Sequence, residues 1–281
     1  MTGLFAADLD GTLMNGMHVV DPVILGALRD VRAAGAHFAI ATGRVMRSNR
    51  DFGFEGNVAA ISANGALILD EDSRLVRVST LPEGFAEGFA RAFPEAPLEF
   101  VTAEHSYHLC SREEHEATFR GGPLFARIVM RGMNGNESAA TEHVYDLVPD
   151  QVGELEVCKI NARVLDESLA RQMRAYLAQT DAPVVNTPFN PDMFEISSAD
   201  ATKAEGVAWL AGYLGLSEDE VAVYGDGGND IAMLARFEHA YATRGACDEA
   251  KRAAGPGHTI GSCWLHAVPR HMRRTLRDER R

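Results

Sequence analysis

"FAADLDGTLM", residues 5–14, reads as an apolar strand running directly into two carboxylates, Asp8 and Asp10, and then into Gly11-Thr12. A strand ordinarily ends at a turn residue and needs no pair of acids. Two residues apart on a strand end, their side chains leave from the same side. Carboxylates that close raise each other's pKa unless a cation sits between them. Oxygen ligands of this kind suit magnesium, which keeps several waters and commonly bridges protein carboxylate to phosphate. One acid of the pair, ionised at neutral pH, could attack phosphorus without a separate base, and the other could lend a proton to a departing alkoxide. Taken alone, an acid pair that merely closes a loop explains D-x-D equally well.

The surroundings of that strand point to an α/β fold. Leu4–Ala7 is the short apolar strand itself, and Pro22–Ala33 carries helical spacing at Val23, Leu25, Leu28 and Val31. His37–Ala41 is the next strand, a helix is predicted from Arg44, and residues 58–62 give a third strand. Strands alternating with helices imply a Rossmann-like, doubly wound parallel sheet. Residues 66–69 and 75–78 read as a hairpin appended to it.

The character changes near residues 81–84, Leu-Pro-Glu-Gly, and helical and extended patterns mix as far as about Val185. Residues 186–191, with two prolines, read as the return linker; 193–197 is extended, 203–214 helical and 221–224 again a short strand. Between Leu13 and Thr42 lie about thirty residues, which one helix and one strand consume, whereas about 160 separate Thr42 from Lys203. The expectation is therefore a core of residues 1–82 and 187–281 with an α+β cap, residues 83–186, inserted in the second interval.

The chain has 281 residues, 46% of them hydrophobic, enough for a sizeable core and one or two domains. With 27 basic against 40 acidic residues the net charge is −13, which argues against general nucleic-acid binding but leaves room for a small phosphorylated ligand in a local positive pocket. Cys110, Cys158, Cys247 and Cys263 are widely spaced without C-x-x-C pairing, and read as buried thiols rather than disulfides or zinc ligands. No leader precedes Asp8 and no apolar run approaches a membrane span, so a cytoplasmic protein is expected. Oligomeric state has no signature here.

Three further stretches bear on the acids. The second strand ends in Ala41-Thr42-Gly43-Arg44, where a hydroxyl, a glycine amide and a helix start would form an anion-binding nest. Lys203 opens a helix, a poor place for a cation unless something negative lies opposite. The last core strand runs into "VYGDGGNDIAML", residues 223–234, whose Asp226, Asn229 and Asp230 return more metal-ligating oxygens. In an open parallel sheet such strand-end loops share one crevice.

In that order, D-L-D-G-T-L, A-T-G-R, a helix-opening lysine and G-D-G-x-N-D resemble the four motifs of the haloacid-dehalogenase superfamily of phosphotransferases. "ISANGA", residues 61–66, and "GDGGNDIAML", residues 225–234, resemble its Cof-like sugar-phosphatase branch. The resemblance implies a magnesium-dependent phosphatase of small phosphorylated metabolites, sugar phosphates or a phosphorylated cofactor. It implies Asp8 as nucleophile and Asp10 as general acid and then base. Thr42, Gly43 and Lys203 would hold the phosphoryl oxygens; the side chains of Asp8 and Asp226 and the backbone carbonyl of Asp10 would hold magnesium, supported by Asn229 and Asp230. A phosphomutase of the same superfamily, or a receiver-like signalling domain, would also use an aspartate at a strand end.

After Leu234 the chain departs from the branch. Where members carry an apolar-Met-x-Asn-Ala stretch and a later Gly-Val-Ala, it has "YATRGACDEAKRAA" (241–254) and "TIGSCWLHAV" (259–268), although a core strand and helix are still expected. His105, His108, Cys110 and His115 invite a zinc reading, but their spacing fits no common structural site and "SREEHE" reads as a solvated helix face. The arginines of residues 270–281 read as a solvated terminal helix. Arg44 is read as a site residue rather than a surface ion-pair partner; Asn64 with Gly65 serves equally as a turn or as site lining.

Overall fold

A computed structural model of the chain describes residues 1–14, 17–120, 142–188 and 192–280. It divides into two compact units, Met1–Arg77 with Thr202–Arg281, and Val78–Ala201.

The first unit is a three-layer α/β structure. Its strands are β1 (Leu4–Ala7), β2 (His37–Ala41), β3 (Ala59–Ser62), β4 (Leu67–Leu69), β5 (Leu75–Val78), β12 (Val221–Gly225) and β13 (His239–Ala242), in the sheet order β13-β12-β1-β2-β3-β4-β5. From β13 to β3 all pairings are parallel; β4 joins β3 antiparallel. Successive side chains of β1 serve opposite faces. Phe5 and Ala7 join one apolar cluster with Ile24, Leu28 and Val31 of α1 (Pro22–Ala33) and Val268, Met272 and Leu276 of α9 (Ala267–Asp278). Leu4 and Ala6 join another with Val207 and Leu210 of α6 (Lys203–Tyr213), Met233 and Leu234 of α7 (Ile231–Arg236) and Ala250 of α8 (Asp248–Ala254). The chain leaves β1 towards β2 on one side and returns as β12 on the other. The carboxyl end of β1 is thus the switch point where open α/β sheets bind ligands.

The second unit is α+β. A six-stranded sheet in the order β10-β11-β9-β6-β7-β8 comprises β6 (Glu99–Val101), β7 (His105–His108), β8 (Glu142–Val144), β9 (Lys159–Arg163), β10 (Val184–Asn186) and β11 (Met193–Ser198). Phe100, Ile160, Phe194 and Ile196 form a third core with Phe85 and Phe89 of α2 (Phe85–Ala92) and Ala170 and Met173 of α5 (Glu167–Gln179). Two further helices, α3 (Arg112–Arg120) and α4 (Pro149–Val152), complete the unit's described elements. The parallel sheet with an α+β insertion is the fold class expected from the sequence.

Several expectations need correction. No α-helix follows Arg44: only a three-residue turn, Asp51–Gly53, precedes β3. The amides of Arg47 and Ser48 donate to the Asp51 carboxylate, a side-chain alternative to helical hydrogen bonds. Residues 193–198 fall in the second unit, because β11 pairs antiparallel with β9, and the unit ends at Ala201 rather than at 186. The expected linker extends to Pro191, which lies outside the described residues. Of the four free thiols only Cys158 is buried; Cys247 is exposed and the other two half-buried. The terminal helix α9 is not merely solvated, since His271, Met272 and Leu276 are buried while Arg273 reaches Asp30 at 2.6 Å; Arg281 lies outside the described residues. The strand and helix expected after Leu234 are present as β13 and α8. Among the described residues no helix is long and apolar enough to cross a membrane.

Candidate active site

Four strand-end loops of the first unit carry the sequence-predicted residues. Asp8 follows β1, Thr42 and Gly43 follow β2, Asn64 lies beyond β3, and Asp226, Asn229 and Asp230 follow β12. Beyond Asp8 the chain folds back, with Leu13 N–H donating to the Asp8 carbonyl and Gly11 at φ +79°. A side chain at Gly11 would run into the Asp226 carboxylate, so the glycine lets the β1 and β12 loops approach.

Asp8 is buried, and Lys203 Nζ donates to its Oδ1 at 2.6 Å. The same ammonium donates to Asp230 Oδ1 at 2.7 Å. The lysine at the start of α6 therefore faces two carboxylates, the opposite charge its position calls for. Thr202 caps the helix, its hydroxyl accepting from Glu205 N–H. Gly65 permits this approach: a Cβ there would collide with the Thr202 carbonyl. Asp230 Oδ2 accepts from the amides of Asp226 and Gly227, which holds the β12 loop closed.

Burial pushes the Asp8 carboxyl well above its ordinary range; Lys203 opposes this, and the charges of Asp230, Asp226 and Asp10 add to it. Asp226 is likewise pushed up to about 6 by burial, against a hydrogen bond from Thr12 Oγ1 at 2.6 Å and with Asp230 adding. Burial alone would lower Lys203, but Asp230 and Asp8 outweigh it and hold the ammonium above its usual value. Carboxylate oxygens of Asp8, Asp226 and Asp230 lie within 4.8 Å of one another. Three acids against one lysine leave surplus negative charge in a site whose donors are all oxygen. That chemistry fits a hard divalent cation of the magnesium type.

Asp10 goes elsewhere. Its carboxylate accepts from Arg44 Nε at 2.7 Å and Nη2 at 2.5 Å, and lies 2.8 Å from His18 Nδ1. Burial raises its pKa, but the His18 hydrogen bond and the Arg44 charge more than offset this and hold it below the ordinary value. Thr42 is buried, and its hydroxyl accepts from the Arg44 amide, so the expected anion nest is a loop without a helix start. Ala63 and Asn64 amides donate to the carbonyls of Arg44 and Thr42, tying the β2 and β3 loops together. Asn229 Nδ2 donates to Asn64 Oδ1 at 3.2 Å. Asn64 takes φ +60°, so it is both a turn residue and in contact with a motif side chain.

The family profile of haloacid dehalogenase-like hydrolases matches residues 5–256. The chain belongs to that family. This hydrolase is 27% identical over 255 residues to Phosphatase YwpJ of Bacillus subtilis, a match covering 82% of this chain and 85% of the relative. It is 25% identical over 283 residues to the HMP-PP phosphatase of Serratia proteamaculans, covering 99% and 97%. Among solved structures, a haloacid dehalogenase-like hydrolase from B. subtilis superimposes with a TM-score of 0.81 at 21% identity, over 96% of this chain and 99% of that one.

Reading the sequence alone missed Thr12, His18 and the supports from the divergent segment. Thr12 lies inside the first motif, and its hydroxyl beside Asp226 could have been sought there. Thr243 Oγ1 donates to the Gly11 carbonyl and the Cys247 amide to the Asp226 carbonyl. Those contacts bring β13 and α8 into the site's support, and no motif marks them.

Proposed function

We propose that this hydrolase is a cytoplasmic, magnesium-dependent phosphatase of small phosphomonoesters, acting through an aspartyl-phosphate on Asp8. The observation that carries the reading is the buried Asp8 carboxylate at the switch point of the sheet, held by Lys203 at 2.6 Å and flanked by Asp226. A carboxylate oxygen of Asp8 attacks phosphorus, the bond to the ester oxygen breaks, and the departing alkoxide takes a proton from Asp10. Asp10 then draws a proton from the water that attacks the acyl phosphate, releasing inorganic phosphate and restoring Asp8. Lys203, with Thr42 and Gly43, holds the phosphoryl oxygens and offsets their charge. A magnesium ion held by Asp8, Asp226 and the Asp10 backbone carbonyl would supply further positive charge beside that group.

As held by Arg44 and His18, Asp10 is an anion, the state the second half-reaction requires. To act first as an acid it must release Arg44, and a phosphate anion is a natural competitor for that guanidinium. As part of this proposal, selection among leaving groups is assigned to residues 78–201. The phosphatase names of YwpJ and the HMP-PP enzyme support the reaction class.

The test is acid quenching during turnover of a phosphomonoester, with mass spectrometry of the peptide containing Asp8. A phosphoryl increment on that peptide is expected, with no increment and no turnover in Asp8→Asn and none when magnesium is chelated. Turnover retained by Asp8→Asn would overturn the mechanism. Running the reaction in labelled water separates hydrolysis, in which label enters phosphate, from return of the phosphoryl group to substrate.

A further inference from the structure

The second unit gathers ionisable side chains that this chemistry leaves unused. Phe100, Ile160 and Phe194 face its apolar core, and the residues alternating with them along the sheet include the polar Glu99, Lys159, Asn161 and Glu195. Glu99 on β6 lies directly opposite His108 on β7. His143 enters on β8, which pairs parallel with β7 and sets it opposite Ser106. His108 Nε2 and His143 Nδ1 are 2.9 Å apart. One ligand atom each from Glu99, His108 and His143 lies within 4.8 Å of the others.

The surroundings complete a partly satisfied network. Asn161 Nδ2 donates to Glu99 Oε2 at 2.9 Å, which orients the carboxylate. His115, from α3, packs its ring 4.4 Å from that of His108. His108 is wholly buried, and its Nδ1 has no hydrogen-bond partner among the described residues. The nitrogen that faces His143 is Nε2, so an ion held there would bind Nε2 and leave Nδ1 as it is.

Two imidazoles and a carboxylate form a mixed nitrogen and oxygen donor set that zinc accepts as three protein ligands, whereas magnesium prefers oxygen alone. Zinc–nitrogen bonds of about 2.0–2.1 Å set two tetrahedral nitrogens roughly 3.3 Å apart. The His108–His143 pair needs to open by only a few tenths of an ångström. We propose that Glu99, His108 and His143 form a transition-metal site, zinc by preference, that clamps the short strand β8 to β7 and β6. Asn161 orients the Glu99 ligand, in the manner of the outer-shell partners of metal carboxylates.

The test is zinc binding to the full chain in excess magnesium, measured by competition with a chromogenic chelator. Cobalt(II) absorption serves as an independent readout of nitrogen ligation. Wild type and Asp226→Asn should each hold one equivalent, because this site lies outside the Asp8–Asp226 cluster. His108→Ala should weaken binding by about 100-fold or more and abolish the cobalt band, since losing an outer-shell partner alone costs 10–100-fold. His143 is only half-buried, so His143→Gln, checked for native circular dichroism, covers the case in which His108→Ala fails to fold. Zinc should raise the Tm of wild type and not of His143→Gln. No zinc equivalent in wild type under these conditions, or unchanged zinc affinity in a folded His143→Gln, would overturn the proposal.

Discussion

Asp8 and Asp10 are two residues apart, yet their side chains meet different partners. Asp8 faces Lys203, while Asp10 is gripped by Arg44 and His18. The difference sets what substitution should do to each. Asp10→Asn removes the proposed proton donor and acceptor but leaves the Asp8–Lys203 pair in place. Its loss of kcat should therefore depend on the leaving group: on the order of 100-fold or more for an alkyl phosphate, and far less for an activated aryl phosphate that leaves without a proton. Steady-state rates on the two ester types check this. An equal loss on both would mean that Asp10 acts by holding structure rather than by moving a proton. The motif acids and Lys203 were legible because each interrupts a local pattern, a charge at a strand end or a cation at a helix start. His18 was not, because a histidine in a loop breaks no pattern, and only the folded loop carries it to Asp10.

Elements were legible where side-chain spacing alone decides them. The apolar runs of β1, β2 and β12 and the amphipathic α1 form as read. The helix expected from Arg44 does not form, because the Asp51 carboxylate captures backbone amides that a helix would need. Strand β11 was legible as a strand but not as a member of the second sheet, since alternation says nothing about which neighbour a strand pairs with. The Glu99–His108–His143 cluster was hidden for the same reason: its histidines are 35 residues apart and meet only through strand pairing. On α9, arginines dominate the sequence, yet His271 among them is 8% exposed and shares a hydrogen bond with the Tyr224 hydroxyl at 3.0 Å. Burial, with the charges of Arg274 and His258, lowers its pKa from 6.5 to about 4; the Tyr241 ring packs 4.1 Å away. Between those two pH values the unfolded chain binds the extra proton, so this contribution to stability is complete above pH 6.5 and lost as pH falls towards 4. His271→Gln should remove that part of the acid sensitivity. Its Tm should fall less than wild type's over this interval, by on the order of 5 °C. Parallel Tm–pH curves for the two proteins would sink the assignment.

At the scale of the whole molecule, the two units have separate apolar cores, two clusters flanking the seven-stranded sheet and one in the insertion. All the proposed catalytic residues belong to the first unit, and residues 78–201 contain none of them. If the insertion reads the leaving group, replacing residues 78–201 by a short flexible linker should collapse discrimination among natural substrates. Hydrolysis of a small activated ester should fall much less. The quantity to compare is the spread of kcat/KM across a substrate panel, before and after excision, in a variant with native circular dichroism. An unchanged spread would mean that the first unit alone selects the substrate. The division into two units was legible from the long interval before Lys203. Its boundaries were not, because β11 looks the same in sequence whichever sheet it joins.

The parallel register of β1 with β12, Leu4 beside Val221 and Ala7 beside Tyr224, also dictates an order of events during synthesis. A ribosome releases β1 first and β12 only after the whole insertion, and domains generally fold as units while the chain emerges. The insertion, contiguous at residues 78–201, can close on itself in that interval. Throughout it, β1 has one bare edge where β12 belongs, and Asp8 stands without Lys203 and Asp226. The nascent chain therefore cannot bring Lys203 and Asp226 to the Asp8 carboxylate before α6 and β12 have emerged. Until β12 pairs, the backbone donors and acceptors along that edge of β1 lack their strand partner.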